Sequence, residues 1–299
     1  MSKGVLVNLT KCIGCGACTV ACKMYNANKW IDNRSPTSGE NAQLADENWT
    51  IIKKFKLLKN NNTQVWRFVK RQCLHCQSPS CVSACFARAF QKTDEGAVVY
   101  FPDNCVGCRY CMVACPFKIP KFEWQTPIPV VTKCVMCYGR LKEGKAPACV
   151  SVCPESVMKF GERNELLREA KEIVANDKKY IKHIYGEEEA GGTSWIYISD
   201  VPFEKIGFNT NVVKKPLPAY TTTYMKCTPI FGAIWAIILT ALYFITKRRN
   251  IFKNNHADLS HENSTGKKIN NNLTNNINQT QSDNKFNNTE SEFETEKEN

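Results

Sequence analysis

The chain has 299 residues, 43% of them hydrophobic, enough for one or two domains with a real core. Its 17 cysteines are an odd number and the N-terminus carries no secretory signal pattern, so a disulfide-stapled secreted fold is excluded and metal binding is favoured. The formal net charge of +12 would ordinarily raise nucleic acid as a partner, but no run of Lys and Arg is longer than three, which excludes that footprint.

In chain order, the grouped cysteines occupy residues 12–153, with strand signals between them. Trp49 to Leu57 and Gln64 to Lys70 flank Asn60-Asn61-Asn62 and read as a hairpin; Ala89 to Lys92 and Ala97 to Tyr100 flank Asp94-Glu95-Gly96 in the same way. Beyond the cysteines, Glu162 to Ala175 places Leu166, Leu167, Ala170, Ile173 and Val174 at helical spacing, which predicts a helix with one face in a core. Cys227 to Thr246 is 20 residues without a charge, bracketed by Lys226 and by Lys247, Arg248 and Arg249. At ~1.5 Å rise per residue it spans ~30 Å, the hydrocarbon thickness of a bilayer. It predicts one transmembrane helix in contact with membrane lipid, with Pro229 in its first turn and Tyr220, Tyr224, Tyr243 and Phe244 as interfacial aromatics. Residues 250–299 hold 14 Asn, no Cys and no Trp, too little apolar surface to offset the entropy of ordering, and predict a disordered Asn-rich tail.

Sixteen cysteines fall into four groups: Cys12-x2-Cys15-x2-Cys18-x3-Cys22, Cys73-x2-Cys76-x4-Cys81-x3-Cys85, Cys105-x2-Cys108-x2-Cys111-x3-Cys115 and Cys134-x2-Cys137-x11-Cys149-x3-Cys153. In a C-x2-C-x2-C-x3-C run three thiolates come from one tight loop, while the fourth is carried away to ligate a different cluster, so the groups must work in pairs. Paired C-x2-C knuckles also hold structural zinc, the main rival, but the three closely spaced cysteines with a fourth beyond suit a cubane better than a tetrahedral ion. The expected cofactors are four 4Fe-4S clusters. At about −2 per oxidised cluster with its thiolates, they bring the formal +12 to about +4, so the basic excess acts as counter-charge to buried anions.

Gly14, Gly16 and Gly107 are expected at tight turns that bring N–H groups close to the cluster sulfides. Pro116 and Pro154 follow Cys115 and Cys153, whereas Lys23 and Phe86 stand where a proline is expected after Cys22 and Cys85. His75 is read as a supporting residue because thiolates already fill every ligand position, and the leftover Cys227 as a small buried apolar residue. No nucleophile elbow, Walker loop, haem-attachment site or dinucleotide fingerprint occurs. The chain is therefore expected to move electrons without a catalytic residue of its own.

The cysteine groups, with Thr10-Lys11-Cys12-Ile13-Gly14-Cys15, Cys76-Gln77-Ser78-Pro79-Ser80-Cys81, Ala114-Cys115-Pro116-Phe117, Pro147-Ala148-Cys149, Gly191-Gly192-Thr193 and the terminal apolar segment, resemble a known family from Val5 to about Arg249. That family is the four-cluster electron-transfer (beta) subunits of membrane-bound respiratory oxidoreductases, such as formate dehydrogenases and uptake hydrogenases. Residues Ile184 to Trp195 and Ser199 to Glu204 look closest to the hydrogenase-associated branch.

The resemblance implies an α+β fold of two nested dicluster ferredoxin-like units with hairpin insertions. The outer unit would be residues 1–72 and 134–160, with a hairpin at 49–70, and the inner unit 73–133. A helix and strand segment at 161–226, the transmembrane helix at 227–246 and the tail at 250–299 would follow. The ligand sets it implies are Cys12, Cys15, Cys18 and Cys153 (first); Cys134, Cys137, Cys149 and Cys22 (second); Cys73, Cys76, Cys81 and Cys115 (third); and Cys105, Cys108, Cys111 and Cys85 (fourth). It further implies a wire between a catalytic oxidoreductase subunit, a hydrogenase or a molybdenum- or tungsten-pterin enzyme, and an integral membrane quinone-reactive subunit. The alternative is a membrane-tethered polyferredoxin or redox sensor serving exchangeable partners, which would purify alone.

Topology signals pull apart. Met1 to Lys11 has no long apolar stretch and no twin arginine, which by itself would keep the clusters in the cytoplasm. Lys247, Arg248, Arg249 and Lys253 outweigh Lys214, Lys215 and Lys226 across the apolar segment, which turns the tail inward. Since the resemblance implies export with a partner that carries the signal, the expectation is a single-pass inner-membrane protein with a periplasmic cluster domain and a cytoplasmic tail.

Overall fold

A computed structural model describes residues 2–30, 36–58, 64–125 and 130–282, with side chains as far as Lys253. Strand β1 (Lys3–Asn8) leads into helix α1 (Ala17–Asn26), followed by β2 (Ser38–Gly39), β3 (Ile51–Leu58), β4 (Gln64–Arg71), α2 (Ser80–Ser83), β5 (Phe90–Lys92) and β6 (Val98–Tyr100). Next come α3 (Tyr110–Ala114), β7 (Lys121–Phe122), β8 (Val131–Thr132), α4 (Tyr138–Lys142) and α5 (Ala148–Ser151). Beyond the cysteine groups lie β9 (Met158–Glu162), α6 (Arg163–Asn176), β10 (Trp195–Ile198) and α7 (Pro218–Ser282). The chain divides into two compact units, Met1–Tyr224 and Met225–Asn299.

The scaffold of the first unit is a sheet that the sequence patterns did not announce. Its middle strand is β1, parallel to β10 with Val5 opposite Trp195 and antiparallel to β9 with Val5 opposite Phe160. Val5, Leu6 and Val7 are all buried because both faces of the sheet are covered. The period-2 alternation splits the faces. Val5 and Val7, with Trp195, Tyr197 and Met158, join the core that carries the cysteine loops, while Leu6, Ile196 and Ile198 pack with Leu166 and Ala170 of α6. The predicted helix at 162–175 thus covers a core face.

Both predicted hairpins form. β3 pairs with β4 from Ile51 opposite Arg71 to Leu58 opposite Gln64, and β5 with β6 from Phe90 opposite Tyr100 to Lys92 opposite Val98. The Asn60 to Asn62 turn lies outside the described residues.

The loop at 191–194 clasps the second cysteine group. Gln77 N–H donates to Gly192 O at 2.9 Å, Ser194 N–H to the carbonyls of Leu74 and His75 at 3.1 Å each, and Gln77 Nε2 to Ser194 Oγ at 3.0 Å. Arg163 in turn braces that loop, with Nε donating to Thr193 O at 2.7 Å and Nη2 to the carbonyls of Gly186 and Glu187 at 3.3 and 3.4 Å.

The C-terminal helix departs from expectation at both ends. It starts at Pro218, where the fixed φ of proline suits a first turn, so Pro229 falls inside the helix and removes the bond to the carbonyl four residues before it. It also runs through the start of the segment expected to be disordered, as far as Ser282. No proline and a single glycine, Gly266, lie between Asn250 and Ser282, and extending an existing helix needs no new nucleus. Residues 283–299 of the expected tail lie outside the described residues. Within the helix, Pro218–Lys253 is long and apolar enough to cross a membrane, with a mean hydropathy of 2.0 over its best window. Cys227 is half-buried, not buried as expected.

Arg163→Met leaves the carbonyls of Thr193 and Glu187 without the Arg163 donor, at about 1–3 kcal/mol for a buried unpaired group, while Gly186 O keeps the Thr193 N–H at 2.9 Å. Hydrogen exchange should quicken across residues 186–195 and stay unchanged in the β3–β4 hairpin; uniform protection in the variant would contradict the bracing role.

Candidate metal centres

One backbone device recurs in all four cysteine groups. Two residues after the first cysteine the chain turns left-handed, at Gly14 (φ 75°), His75 (52°), Gly107 (69°) and Met136 (57°). The turn aims an N–H back at the sulfur: Gly107 N–H donates to Cys105 Sγ at 3.4 Å and Met136 N–H to Cys134 Sγ at 3.3 Å, and Cys12 accepts from Gly14. Gly14 is required twice over, since a Cβ there would also lie 2.3 Å from the Phe68 ring of β4. At Gly107 only the conformation asks for glycine, because nothing lies within 4 Å of an added Cβ. Gly16 shares the left-handed conformation as the residue that starts α1. Sequence reasoning found the three glycines but passed over His75 and Met136, which occupy the same position without being glycine; their place two residues after Cys73 and Cys134 was the available signal.

The last cysteine of each group takes a donor from four residues further on. Ala89 N–H donates to Cys85 Sγ at 3.2 Å, Val157 N–H to Cys153 Sγ at 3.4 Å, and Cys115 accepts from the backbone of Ile119. At Cys22 the donor is a side chain, Asn26 Nδ2 at 3.6 Å, because α1 runs through this position and commits its backbone N–H groups to the helix.

The thiols fall into neighbourhoods that join distant parts of the chain. Burial raises Cys12, and Cys153 and Cys15 add to the shift; burial pushes Cys18 up to about 12, with Cys149, Cys12 and Cys15 beside it. Cys22 is pushed up to about 11 by burial next to Cys149 and Cys137, and Cys134 is held well above the ordinary thiol value by burial, then by Cys22, Cys73 and Cys149. Burial likewise raises Cys76, near Cys73, Cys115 and Cys81, and lifts Cys81 to about 12, near Cys73, Cys115 and Cys111. Cys111 rises to about 11 by burial alongside Cys105, Cys85 and Cys108. Two neighbourhoods open onto cavities, one lined by Cys12, Cys15, Cys18 and Cys153, the other by Cys85, Cys105, Cys108 and Cys111.

This donor set fits an iron-sulfur cluster. Soft thiol ligands converge from one loop plus one remote cysteine, and the N–H groups aimed at them favour the thiolate form that ligation needs. His75 supplies a further observation. Its fully buried ring accepts from Val98 N–H at Nδ1 (2.8 Å), which leaves the proton on Nε2, and that buried donor has no partner in the protein. A hydrogen-bond donor left free between Cys73 and Cys76 suits a group that carries sulfide acceptors. The supporting role expected for His75 agrees with this placement.

Sequence reasoning also missed two buried lysines, Lys70 and Lys133, and the half-buried Lys92. Lys133 donates to the carbonyls of Val98 and Cys134, the latter at 2.9 Å. Lys92 donates to His75 O at 3.1 Å and Gly96 O at 2.7 Å; burial brings its pKa down to about 8 against the opposing pull of Cys76 and Cys73. Lys70 closes β4. Lysine ordinarily reads as a solvated position, so no local pattern marks these three.

The two glycines separate conformation from contact. Gly14→Ala is expected to lose about a quarter of the bound iron, one cluster of four, because the methyl group meets the Phe68 ring. Gly107→Ala carries only a left-handed penalty of about 1–2 kcal/mol and should keep its iron; anaerobic iron analysis of both variants decides, and equal losses would refute the contact argument.

Residues 11–89 match the family model of a 4Fe-4S dicluster domain, and residues 64–163 match a second such model. The chain is 42% identical over 253 residues to a protein of Nitratidesulfovibrio vulgaris, covering 83% of this chain and 68% of that one. It is 33% identical over 247 residues to the hydrogenase-2 operon protein HybA of Escherichia coli, covering 69% and 72% of the two chains. It is 34% identical over 203 residues to the iron-sulfur subunit of the nitrate-inducible formate dehydrogenase of Escherichia coli, covering 64% and 66%. Two dicluster domains take four 4Fe-4S clusters, and with these relatives the chain belongs to the four-cluster iron-sulfur electron-transfer subunits of the hydrogenase and formate dehydrogenase type.

Proposed function

We propose that the chain is a membrane-anchored relay whose clusters, held by the first, second, third and fourth ligand sets in that order, connect a catalytic oxidoreductase subunit with an integral membrane quinone-reactive subunit. When bound, each cluster supplies one-electron transfer. The observation that carries the order is the neighbour pattern of the thiols. Cys18 of the first set lies near Cys149 of the second, Cys134 of the second near Cys73 of the third, and Cys81 of the third near Cys111 of the fourth. The same pattern supports the nested arrangement, in which residues 73–133 sit within an outer unit closed by Cys153 against Cys12.

Exposure supports two ports. Cys15 of the first set and Cys108 of the fourth are exposed, whereas all four cysteines of the second set are buried. Beside Cys108 in the chain, Val106, Tyr110 and Val113 are also exposed, as is Phe86 next to Cys85. Apolar surface at the end of a wire favours fixed partner subunits over a freestanding ferredoxin. Each loop holds its thiols in place and directs N–H donors at them, so the protein contributes ligation, spacing and electrostatics and no reaction site.

The experiment for the ligand sets is paramagnetic resonance at controlled potential on anaerobically purified protein carrying about sixteen irons per chain. Cys153→Ser should alter the same signal as Cys12→Ser; agreement with Cys134→Ser instead would overturn the pairing, and about four zinc ions with little iron would overturn the whole reading.

The membrane-length helix supports a single-pass anchor, and the basic flank after it favours a periplasmic cluster domain with a cytoplasmic tail. Protease added to intact spheroplasts should digest the cluster domain and spare an epitope fused after Asn299. Loss of the epitope with protection of the clusters would reverse the orientation.

A further inference from the structure

Strand β4 ends by burying an ammonium group. Lys70 is 2% exposed; its Nζ donates to Thr50 Oγ1 at 3.2 Å and to Gln72 Oε1 at 3.1 Å, and it stands 4.8 Å from the ring centroid of the fully buried Trp195. These partners are all neutral. Among the described residues no Asp or Glu forms an ion pair with it. An ammonium taken out of water without an anion loses several kcal/mol of hydration, so a buried lysine in such company would ordinarily shed its proton.

The anions that compensate are the cysteines. Cys149, Cys18 and Cys134 stand close enough to act on its charge. Cys12 of the first set and Cys22 and Cys137 of the second are its further neighbours. It also lines the cavity that Cys12, Cys15, Cys18 and Cys153 share. The third set has its own lysines, since Lys92 lies near Cys76 and Lys133 near Cys81.

We propose that Lys70 is a positioning residue for electron transfer, the shared internal counter-cation of the first and second clusters, which sets their reduction potentials above those the same thiolates would give alone. The proposal rests on the ligand sets above. Reduction adds one electron to a body that is already anionic, with the electron arriving from a neighbouring cluster or partner and no proton leaving or joining the lysine. A fixed positive charge in a low-dielectric interior stabilises the reduced form more than the oxidised one. Its place between two clusters lets one residue bias both.

The test is a redox titration followed by paramagnetic resonance on the full chain with its complete iron content, comparing wild type, Lys70→Met and Lys70→Arg. In Lys70→Met the reduced-to-oxidised ratio of the first and second clusters at a fixed potential should fall at least tenfold, equivalent to about 59 mV for a one-electron couple. The fourth cluster should not move, and Lys70→Arg should restore most of the difference. Lys70→Gln, which keeps polar contact with Thr50 and Gln72 but removes the charge, gives the same reading if the methionine variant loses iron. Unchanged potentials in a fully loaded neutral variant, or an equal shift of all four clusters, would overturn the role of Lys70 while leaving the ligand sets standing. A shift confined to signals other than those altered by Cys12→Ser and Cys134→Ser would overturn it through the ligand sets themselves.

Discussion

A sulfur that faces an anionic body inside a protein needs N–H donors aimed at it, and a loop of a few residues can supply them only by turning left-handed. That requirement governs the cysteine-bearing region. Gly14, His75, Gly107 and Met136 make the turn after the first cysteine of each group, and Arg88, Lys118 and Ser156 make another three residues after the last cysteine in three of them. Each L-residue held this way costs about 1–2 kcal/mol, so the surroundings must over-determine the conformation. At His75 they do so visibly: the ring accepts Val98 N–H, and the preceding Leu74 carbonyl is taken by Ser194.

The scaffold that holds these strained loops is assembled from both ends of the first unit. The sheet of β1, β9 and β10 closes the cysteine segment on itself, and the loop at 191–194 reaches across it to the second group. The β3–β4 hairpin is inserted between the first two cysteine groups and has a role at each level. Phe68 packs on Gly14, Lys70 lies near Cys18, Cys149 and Cys134, and Arg67 pairs with the nearly buried Asp200 beyond β10, its Nε donating to Oδ1 at 2.8 Å. Such an ion pair is hard to break from one side, because the remaining charge would be left without water or partner. One inserted element thereby joins packing, electrostatics and the closure of the fold.

The basic excess of the composition takes on a specific meaning in this setting. The counter-charge inferred from the net +12 is partly internal, in the buried Lys70 and Lys133 and the half-buried Lys92, and not only a diffuse surface property. Cations set among the cysteine groups offer a way to give chemically identical thiolate ligations different potentials. The exposed cysteines at the two ends, Cys15 and Cys108, are where solvent and partner surfaces can add their own influence.

The sequence by itself determined what depends on short-range geometry. The four cysteine spacings and the turn glycines follow from hydrogen bonds that close within about four residues, the two hairpins from alternation around a turn, and α6 from a helical apolar face. An apolar stretch long enough to span a bilayer is a composition signal and was equally legible, although the placement of Pro229 inside the helix was not, because the helix starts at the earlier Pro218. Only the tertiary structure decided which distant segments meet. It placed β1 between β9 and β10, Gly192 against Gln77 and Lys70 among six cysteines. The physical reason is that these contacts join segments with no common periodicity. The burial that makes a lysine or a histidine consequential belongs to the packed core and leaves no local mark in the chain.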